Sequence, residues 1–274
     1  MKLLILGASS YIGARLFNDL SNKFDLVGTY FNNQTDPRLI RLDLNNKADI
    51  EAIITLHNPD IIIHLANYSS SRNIAGNEAN YQALNLEVTK TLVNLANKYQ
   101  KKIIFVSSMA SVTKSNLYGQ LKAESEQLVK GVNKGYFILR PSAVIGVSPN
   151  QKNNKITDKI IATINGNRQS FDTSWLLQPT YIGHITQVIE KIINDNVWNT
   201  ELSLYINHPA TQYQIASDTL SNFGMDADQI DLGINIPLMS DNAEEVKKYG
   251  VSPMVYSEII QLIVKEIKVL VQNN

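Results

Sequence analysis

The chain has 274 residues, 44% hydrophobic and 18% charged, with a formal net charge of zero and no cysteine. This length suits one large α/β domain, alone or with a smaller appendage, and the balanced charge argues against a nucleic acid or a membrane surface held by bulk charge. The missing cysteines exclude disulfides, thiolate metal sites and cysteine nucleophiles, and they fit a reducing cytosol.

The first apolar run, Leu3–Leu6, is shorter than the core of a signal peptide and stops at Gly7. No later run reaches membrane-spanning length, so a cytoplasmic protein is expected. Further strand candidates are Leu26–Tyr30, Leu39–Leu42, Ile61–Leu65, Ile103–Val106 and Phe137–Leu139. Unbroken apolar runs are what parallel strands covered on both faces require. Between them, Ile12, Leu16 and Leu20 share a helical face, as do Leu84, Val88, Leu92, Leu95 and Tyr99. The alternation predicts a doubly wound parallel α/β sheet. Residues 31–38 are short for a crossover, so a reduced loop is expected between the second and third strands. The rhythm changes after Arg140-Pro141. Residues 1–145 read as the nucleotide-binding domain, rejoined by parts of 180–207, where Ser203–Ile206 adds a strand. Residues 146–274 read as a smaller substrate-binding portion, closed by a helix from Tyr256 to about Leu270 with a stripe of Ile260, Ile263, Val264, Ile267 and Leu270.

Gly7-Ala8-Ser9-Ser10-Tyr11-Ile12-Gly13 lies between a buried strand and an amphipathic helix, where a glycine-rich turn holds a dinucleotide pyrophosphate. Gly7 permits the tight turn and Gly13 close helix packing, while the helix start offers N–H groups and a positive dipole end. Ser10 replaces the middle glycine, and its hydroxyl can donate to a phosphate. The second strand ends Gly28-Thr29-Tyr30-Phe31-Asn32-Asn33 without the acid that binds a free ribose, which tilts the cofactor from NAD toward NADP. Arg38 is the nearest cation there. Asp43-Leu44 reads equally as an adenine contact or as the cap of a helix starting near Lys47.

Tyr118-Gly119-Gln120-Leu121-Lys122 places a phenol and an ammonium one helical turn apart. A phenol with a pKa of about 10 shuttles protons poorly at neutral pH, and a neighbouring ammonium lowers that value. The strand ending Val106-Ser107-Ser108 brings hydroxyls to the end of the sheet where ligands collect, so Ser108 can bond a substrate oxygen beside Tyr118.

With these residues the chain resembles the extended short-chain dehydrogenase/reductases, the NAD-dependent epimerase/dehydratase family, over nearly its full length. Gly7–Gly13 resembles the first-strand fingerprint and Asp60–Asn67 the fourth-strand motif. Asn85–Thr89 resembles the following helix, with its site-organising Asn, and Arg140–Gly146 the segment near the nicotinamide. Gln178-Pro179-Thr180-Tyr181-Ile182, Leu238–Asn242 and Tyr249-Gly250 look most like the dTDP-4-dehydrorhamnose reductases and related nucleotide-sugar enzymes.

The resemblance implies a Rossmann fold, catalytic Ser108, Tyr118 and Lys122, and no metal. It implies a cofactor, NADP or NAD, held by Gly7, Ser9, Ser10, Tyr11, Ile12, Gly13, Tyr30, Asp43, Leu44, Leu65, Ala66, Asn67, Asn85, Ser107, Lys122 and Pro141. Substrate contacts would come from Ser69, Arg72, Met109, Ser142 and Thr180. It further implies a homodimer through helices 78–99 and 117–130, and a nucleotide-sugar substrate that is reduced or epimerised through a keto intermediate.

Departures narrow this. Asn67 stands where a small apolar residue is usual, His184 where an Asp is common, and the gap from Ser108 to Tyr118 is short. Met109-Ala110 occupies the place of the Asp-Glu pair that 4,6-dehydratases use, and no cysteine is present for carbon-acid chemistry. A reductase of small non-sugar carbonyls and a non-catalytic cofactor-binding subunit remain as alternatives. Arg72, Arg168, Lys152 and Lys155 read as diphosphate contacts or as solvated charges, with the second favoured for each singly. Trp175 reads as a stacking platform or a packing residue. His64 reads as a core histidine, and the four histidines lack metal-ligand spacing.

Overall fold

The computed structural model describes residues 1–68, 78–153 and 155–272. The chain forms two compact units, one of Met1–Pro141 with Ile189–Ser203 and the other of Ser142–Val188 with Leu204–Asn274.

The first unit runs β1 (Lys2–Leu6), α1 (Tyr11–Leu20), β2 (Asp25–Tyr30), β3 (Ile40–Arg41), α2 (Lys47–His57), β4 (Ile61–His64) and α3 (Glu78–Gln82). A π-helical turn over 83–87 follows, then α4 (Val88–Lys98), β5 (Lys102–Val106), α5 (Ala110–Thr113), α6 (Leu117–Val129) and β6 (Tyr136–Pro141). The second unit opens with β7 (Val144–Ile145), α7 (Ile156–Ile164), β8 (Ser170–Asp172) and β9 (Thr180–Tyr181). α8 (Ile182–Asn194) belongs to the first unit from Ile189, as does β10 (Thr200–Leu204) up to Ser203, and the second unit continues with α9 (Gln212–Leu220), β11 (Asp228–Ile230), α10 (Ala243–Lys248) and α11 (Tyr256–Gln272).

Seven strands form one sheet in the order β10-β6-β5-β4-β1-β2-β3. The ladders from β6 across to β3 are parallel, with Leu6 opposite His64, His64 opposite Phe105 and Phe105 opposite Ile138. Alternate residues Leu4, Leu6, Ile62, Ile103, Phe105 and Ile138 point to one face, where they cluster with Ile50 and Ile54 of α2 and Val88, Leu92 and Ala96 of α4. The unbroken apolar runs therefore mean what they predicted: a sheet buried on both sides. Strand order reverses between β1 and β4, and ligands of such sheets bind beyond the carboxyl ends at that point.

Most expected elements are present, with instructive differences. No helix lies between β2 and β3, as the short 31–38 segment requires. β3 shrinks from the expected Leu39–Leu42 to two exposed residues, because its side chains face solvent at the sheet edge. The added edge strand is Thr200–Leu204 rather than Ser203–Ile206. The expected continuous helix over 78–99 is broken by the π-helical turn, which makes room for buried Asn85. Asn46, not Asp43, caps α2 by accepting from the Ala48 N–H at 3.0 Å, while Asp43 accepts from the Asn45 N–H at 2.9 Å. The stripe on α11 is buried at Ile260, Ile263, Val264 and Ile267, whereas Leu270 is only partly covered.

Candidate active site

The site is built at the carboxyl ends of β1, β4 and β5. Gly7 leaves β1 with φ +87°, a conformation that favours glycine, and its N–H bonds the hydroxyl of buried Thr29 at 3.3 Å. A Cβ on Gly7 would lie 2.9 Å from the Ala66 backbone nitrogen, so the phosphate-loop turn and the end of β4 press together at the strand-order reversal. A Cβ on Gly13 would lie 2.1 Å from the Gly7 carbonyl oxygen, which is why the helix can start this close to the strand. Ser10 caps α1, accepting from the Gly13 N–H at 3.1 Å; its hydroxyl proton is not used by that bond. Tyr11 and Ile12 occupy the first turn, where backbone N–H groups outnumber helical acceptors.

α6 carries the phenol and the ammonium. Asn116 caps it by accepting from the Gly119 N–H at 2.9 Å. Gly119 lets α6 approach α5, since a Cβ there would meet the Ala110 carbonyl oxygen at 2.3 Å. That close approach allows the short link between Ser108 and Tyr118. The Tyr118 oxygen accepts from the Asn67 amide at 3.2 Å, and the Ser108 hydroxyl is its second partner. Desolvation raises the Tyr118 pKa, and these two hydrogen bonds oppose the rise.

Lys122 is buried at 2% exposure, and its Nζ donates to the Val106 carbonyl at 3.0 Å. It sits 4.5 Å from the Phe105 ring centroid and 6.0 Å from that of Tyr118. Burial pulls its pKa down to about 7, with Glu126 opposing the fall. The i, i+4 spacing predicts an ammonium that lowers the phenol's pKa. Instead, in the cofactor-free chain, the phenol is raised and its hydrogen-bond partners are Asn67 and Ser108. The physical reason is the phenol's own burial: loss of solvation of its charged form outweighs the hydrogen bonds from Asn67 and Ser108.

Glu126, one turn beyond Lys122, was not singled out from the sequence. It is 4% exposed and its carboxylate accepts from Ser107 at 2.5 Å, Ser111 at 2.6 Å and both Nε and Nη2 of Arg140 at 2.9 and 2.7 Å. The available signal was a second charge at i+4 on the buried stripe of α6. Ser107 is thus engaged by Glu126 and by its N–H bond to the Leu139 carbonyl at 2.7 Å. Asn85 pins the residue after Asn67, accepting from the Tyr68 N–H at 2.8 Å and donating to its carbonyl at 3.3 Å. Ser125 of α6 donates to the Asn85 carbonyl at 2.9 Å, tying that turn to the helix of Tyr118.

The other expected residues distribute as follows. Leu65 is buried and Ala66 follows it beside Gly7. Ser9 lies in the phosphate-loop turn, and Tyr30 ends β2 with its carbonyl accepting from the Leu42 N–H at 2.8 Å. Leu44 belongs to the buried apolar cluster. Met109 donates its N–H to the Pro141 carbonyl at 3.0 Å. Ser69 and Arg72 lie outside the described residues. In the second unit, Thr180 Oγ1 accepts from the Ser142 N–H at 2.9 Å and donates to the Leu204 carbonyl, which leaves no hydroxyl proton for a substrate. Arg168 pairs with Asp228, so its charge is engaged within the chain. Trp175 is half-buried. His64 is buried with a pKa lowered to about 3 by burial and then by Lys122, and its Nε2 meets the Thr89 hydroxyl at 3.1 Å. Burial likewise lowers His184 to about 4. No cluster of metal-ligating side chains occurs among the described residues.

Two further features concern a dinucleotide. Arg38 is tied to Asp36 by two bonds of 2.9 and 2.7 Å. Arg41, which the sequence did not single out, stands opposite Tyr30 in the β2–β3 ladder with its guanidinium over the Phe31 ring at 5.6 Å. It has no carboxylate partner among the described residues. Lys122 has three N–H donors but one acceptor among the described residues, so a buried donor is left for a hydroxyl-bearing ligand. The tight Gly7 turn, the opening of α1 and this under-partnered ammonium fit a nicotinamide dinucleotide.

The sequence profile of the NAD dependent epimerase/dehydratase family matches residues 3–190. The chain belongs to this family. Its fold is shared with a dTDP-4-dehydrorhamnose reductase from Bacillus anthracis, solved with NADP, at 18% identity and TM-score 0.78, covering 97% of each chain. A UDP-glucose 4-epimerase from Thermotoga maritima, solved with UDP-glucose, is 16% identical with TM-score 0.81, over 99% of this chain and 100% of that one. A UDP-N-acetylglucosamine 4-epimerase from Methanobrevibacter ruminantium, solved with UDP-N-acetylmuramic acid, is 18% identical with TM-score 0.81, over 100% and 99%. Family membership makes this chain an NAD(P)-dependent enzyme. No helix among the described residues is long and apolar enough to cross a membrane.

Proposed function

We propose that the chain reduces a nucleotide-activated keto-sugar, or epimerises such a sugar through a keto intermediate, with Ser108, Tyr118 and Lys122 as its catalytic residues. The observation that carries this reading is the convergence of Ser108 and Asn67 on the Tyr118 oxygen, one turn from a buried lysine, at the carboxyl ends of β4 and β5. The bound nicotinamide supplies or accepts the hydride. Tyr118 gives its proton to the substrate oxygen in reduction and takes it back in oxidation. Ser108 orients that oxygen. Lys122 holds the nicotinamide ribose and, once a ligand satisfies its N–H donors, carries the positive charge that favours phenolate.

The remaining residues take roles that follow from their placement. The Gly7–Gly13 turn and the first turn of α1, with the Ser10 hydroxyl, receive the pyrophosphate. Ser9, Leu65, Ala66 and Pro141 would line the cofactor, and Tyr30, Asp43 and Leu44 would serve its adenosine end. Arg41, beside a strand end without an acid, favours NADP over NAD. Met109-Ala110 provides no acid for elimination, which supports simple redox chemistry over dehydration. The nucleotide-sugar class is supported by the substrates named for the structural relatives.

The test is NADH and NADPH oxidation with 4-keto nucleotide sugars and with simple aldehydes and ketones, for wild type and Tyr118→Phe. Turnover of a keto nucleotide sugar that depends on Tyr118 is expected. Turnover of simple carbonyls alone would replace the sugar by a small substrate, and cofactor binding without any turnover would leave a regulatory protein.

A further inference from the structure

Asn67 has more to do at the Tyr118 oxygen than line the cofactor. Ser108 has one hydroxyl proton, and its oxygen already accepts from the Ala110 N–H at 3.2 Å. That proton cannot serve the Tyr118 oxygen and a substrate oxygen together. The Asn67 amide is aimed at the Tyr118 oxygen from the segment after β4. Its backbone is held on both sides. The Leu65 and Ala66 N–H groups bond the Leu6 carbonyl at 3.0 and 3.1 Å, and Asn85 clamps Tyr68 by two bonds of 2.8 and 3.3 Å. Asn85 is therefore a positioning residue, and Ser125 fastens it to α6.

We propose that Asn67 is a catalytic residue, whose side-chain N–H holds the Tyr118 oxygen while the proton moves and so frees Ser108 for the substrate oxygen. In the reductive direction the Tyr118 O–H bond breaks and an O–H bond forms on the substrate. The electron pair stays on the phenol oxygen as phenolate. A phenolate can only accept, so it selects the amide orientation that presents the N–H. A hydrogen bond to a charged acceptor is stronger than one to a neutral phenol, so Asn67 favours the phenolate side of the step.

The groups that face the Tyr118 oxygen are Asn67, Ser108 and Tyr81 of α3, with Lys122 one turn along its own helix. Glu126 acts on Lys122, and Lys122 in turn acts on His64. The role rests on the proposed function for Tyr118 as the proton donor and for the identity of the substrate.

The test places 3-fluorotyrosine at position 118, which makes the phenol more acidic and gives one ¹⁹F signal, and follows its titration in the full chain without cofactor. Asn67→Ala should raise the midpoint by about one to two pH units, a loss of roughly 10- to 100-fold in phenolate formation. Asn67→Leu, which fills the space without a donor, should do the same. Asn67→Asp, which cannot donate and adds negative charge, should raise it further. With any substrate that is turned over, Asn67→Ala in the natural protein should lower kcat by about tenfold or more and leave KM and the cofactor Kd within about twofold. Midpoints that coincide in wild type and Asn67→Ala, or that both lie beyond the reachable range, overturn the proposal. So does a weakened cofactor Kd with an unchanged midpoint, which would make Asn67 a cofactor contact only. A shifted midpoint without turnover of nucleotide sugars would sink the sugar reading and leave the role of Asn67 standing.

Discussion

Helix α6 buries two charges one turn apart, and the chain treats them in opposite ways. Glu126 is saturated by two serines and a bidentate arginine. Lys122 is equally buried but has, among the described residues, one backbone carbonyl and an aromatic ring. A buried charge with all its partners is a structural fixture, whereas a buried charge short of partners costs stability until something supplies them. The difference separates the part of α6 that anchors the sheet from the part held ready for a ligand.

The distinction can be broken or sharpened by substitution at each end. Tyr118→Phe, at the ligand end, should cut turnover by about 10²- to 10⁴-fold with an unchanged Tm, read by steady-state assay and thermal melts. Glu126→Ala should do the reverse in kind. It strands the Ser107 hydroxyl and takes one of two carboxylates from Arg140, which keeps Glu201 at 3.1 Å, and it should remove about 1–3 kcal/mol of unfolding free energy, seen in urea titrations. The same contrast recurs in the nucleotide-binding half. Arg41 is a cation without a carboxylate partner among the described residues, and Arg41→Ala should weaken NADP about tenfold with NAD nearly unaffected, by calorimetric titration. Ser10 is engaged as a cap, so Ser10→Ala should cost about 1 kcal/mol of stability even without cofactor. A loss of NADP affinity with no change in stability would recast Ser10 as a phosphate contact only.

The sheet was legible because burial on both faces leaves unbroken apolar runs, and Leu3–Leu6, Ile61–Leu65 and Ile103–Val106 all became central strands. Edge elements read less well: β3 is only two exposed residues, with little burial to write a pattern. In the candidate site, the turn at Gly7 and the pairing of Tyr118 with Lys122 follow local spacing, and local spacing is visible in a sequence. The Glu126–Arg140 pair joins α6 to β6, and the bond from Asn67 to Tyr118 spans 51 positions. Such contacts depend on strand order, which no spacing rule encodes. The phenol's raised pKa is illegible for the same reason, since it follows from the burial of Tyr118 in the assembled fold rather than from its distance to Lys122 along the helix.

Whether Lys122 is a charge the fold tolerates for a ligand is read most directly from the unfolding free energy of wild type and Lys122→Met, without cofactor, from pH 6 to pH 10. Burial holds the folded lysine at about 7 against an ordinary value of 10.5. Between those values the unfolded chain binds more protons, so wild-type stability gains with rising pH. The variant should be more stable by about 1–3 kcal/mol at pH 6, with the advantage shrinking from pH 7 upward as wild type sheds the buried proton. A variant that is less stable than wild type, or an offset that stays flat across the range, would contradict it.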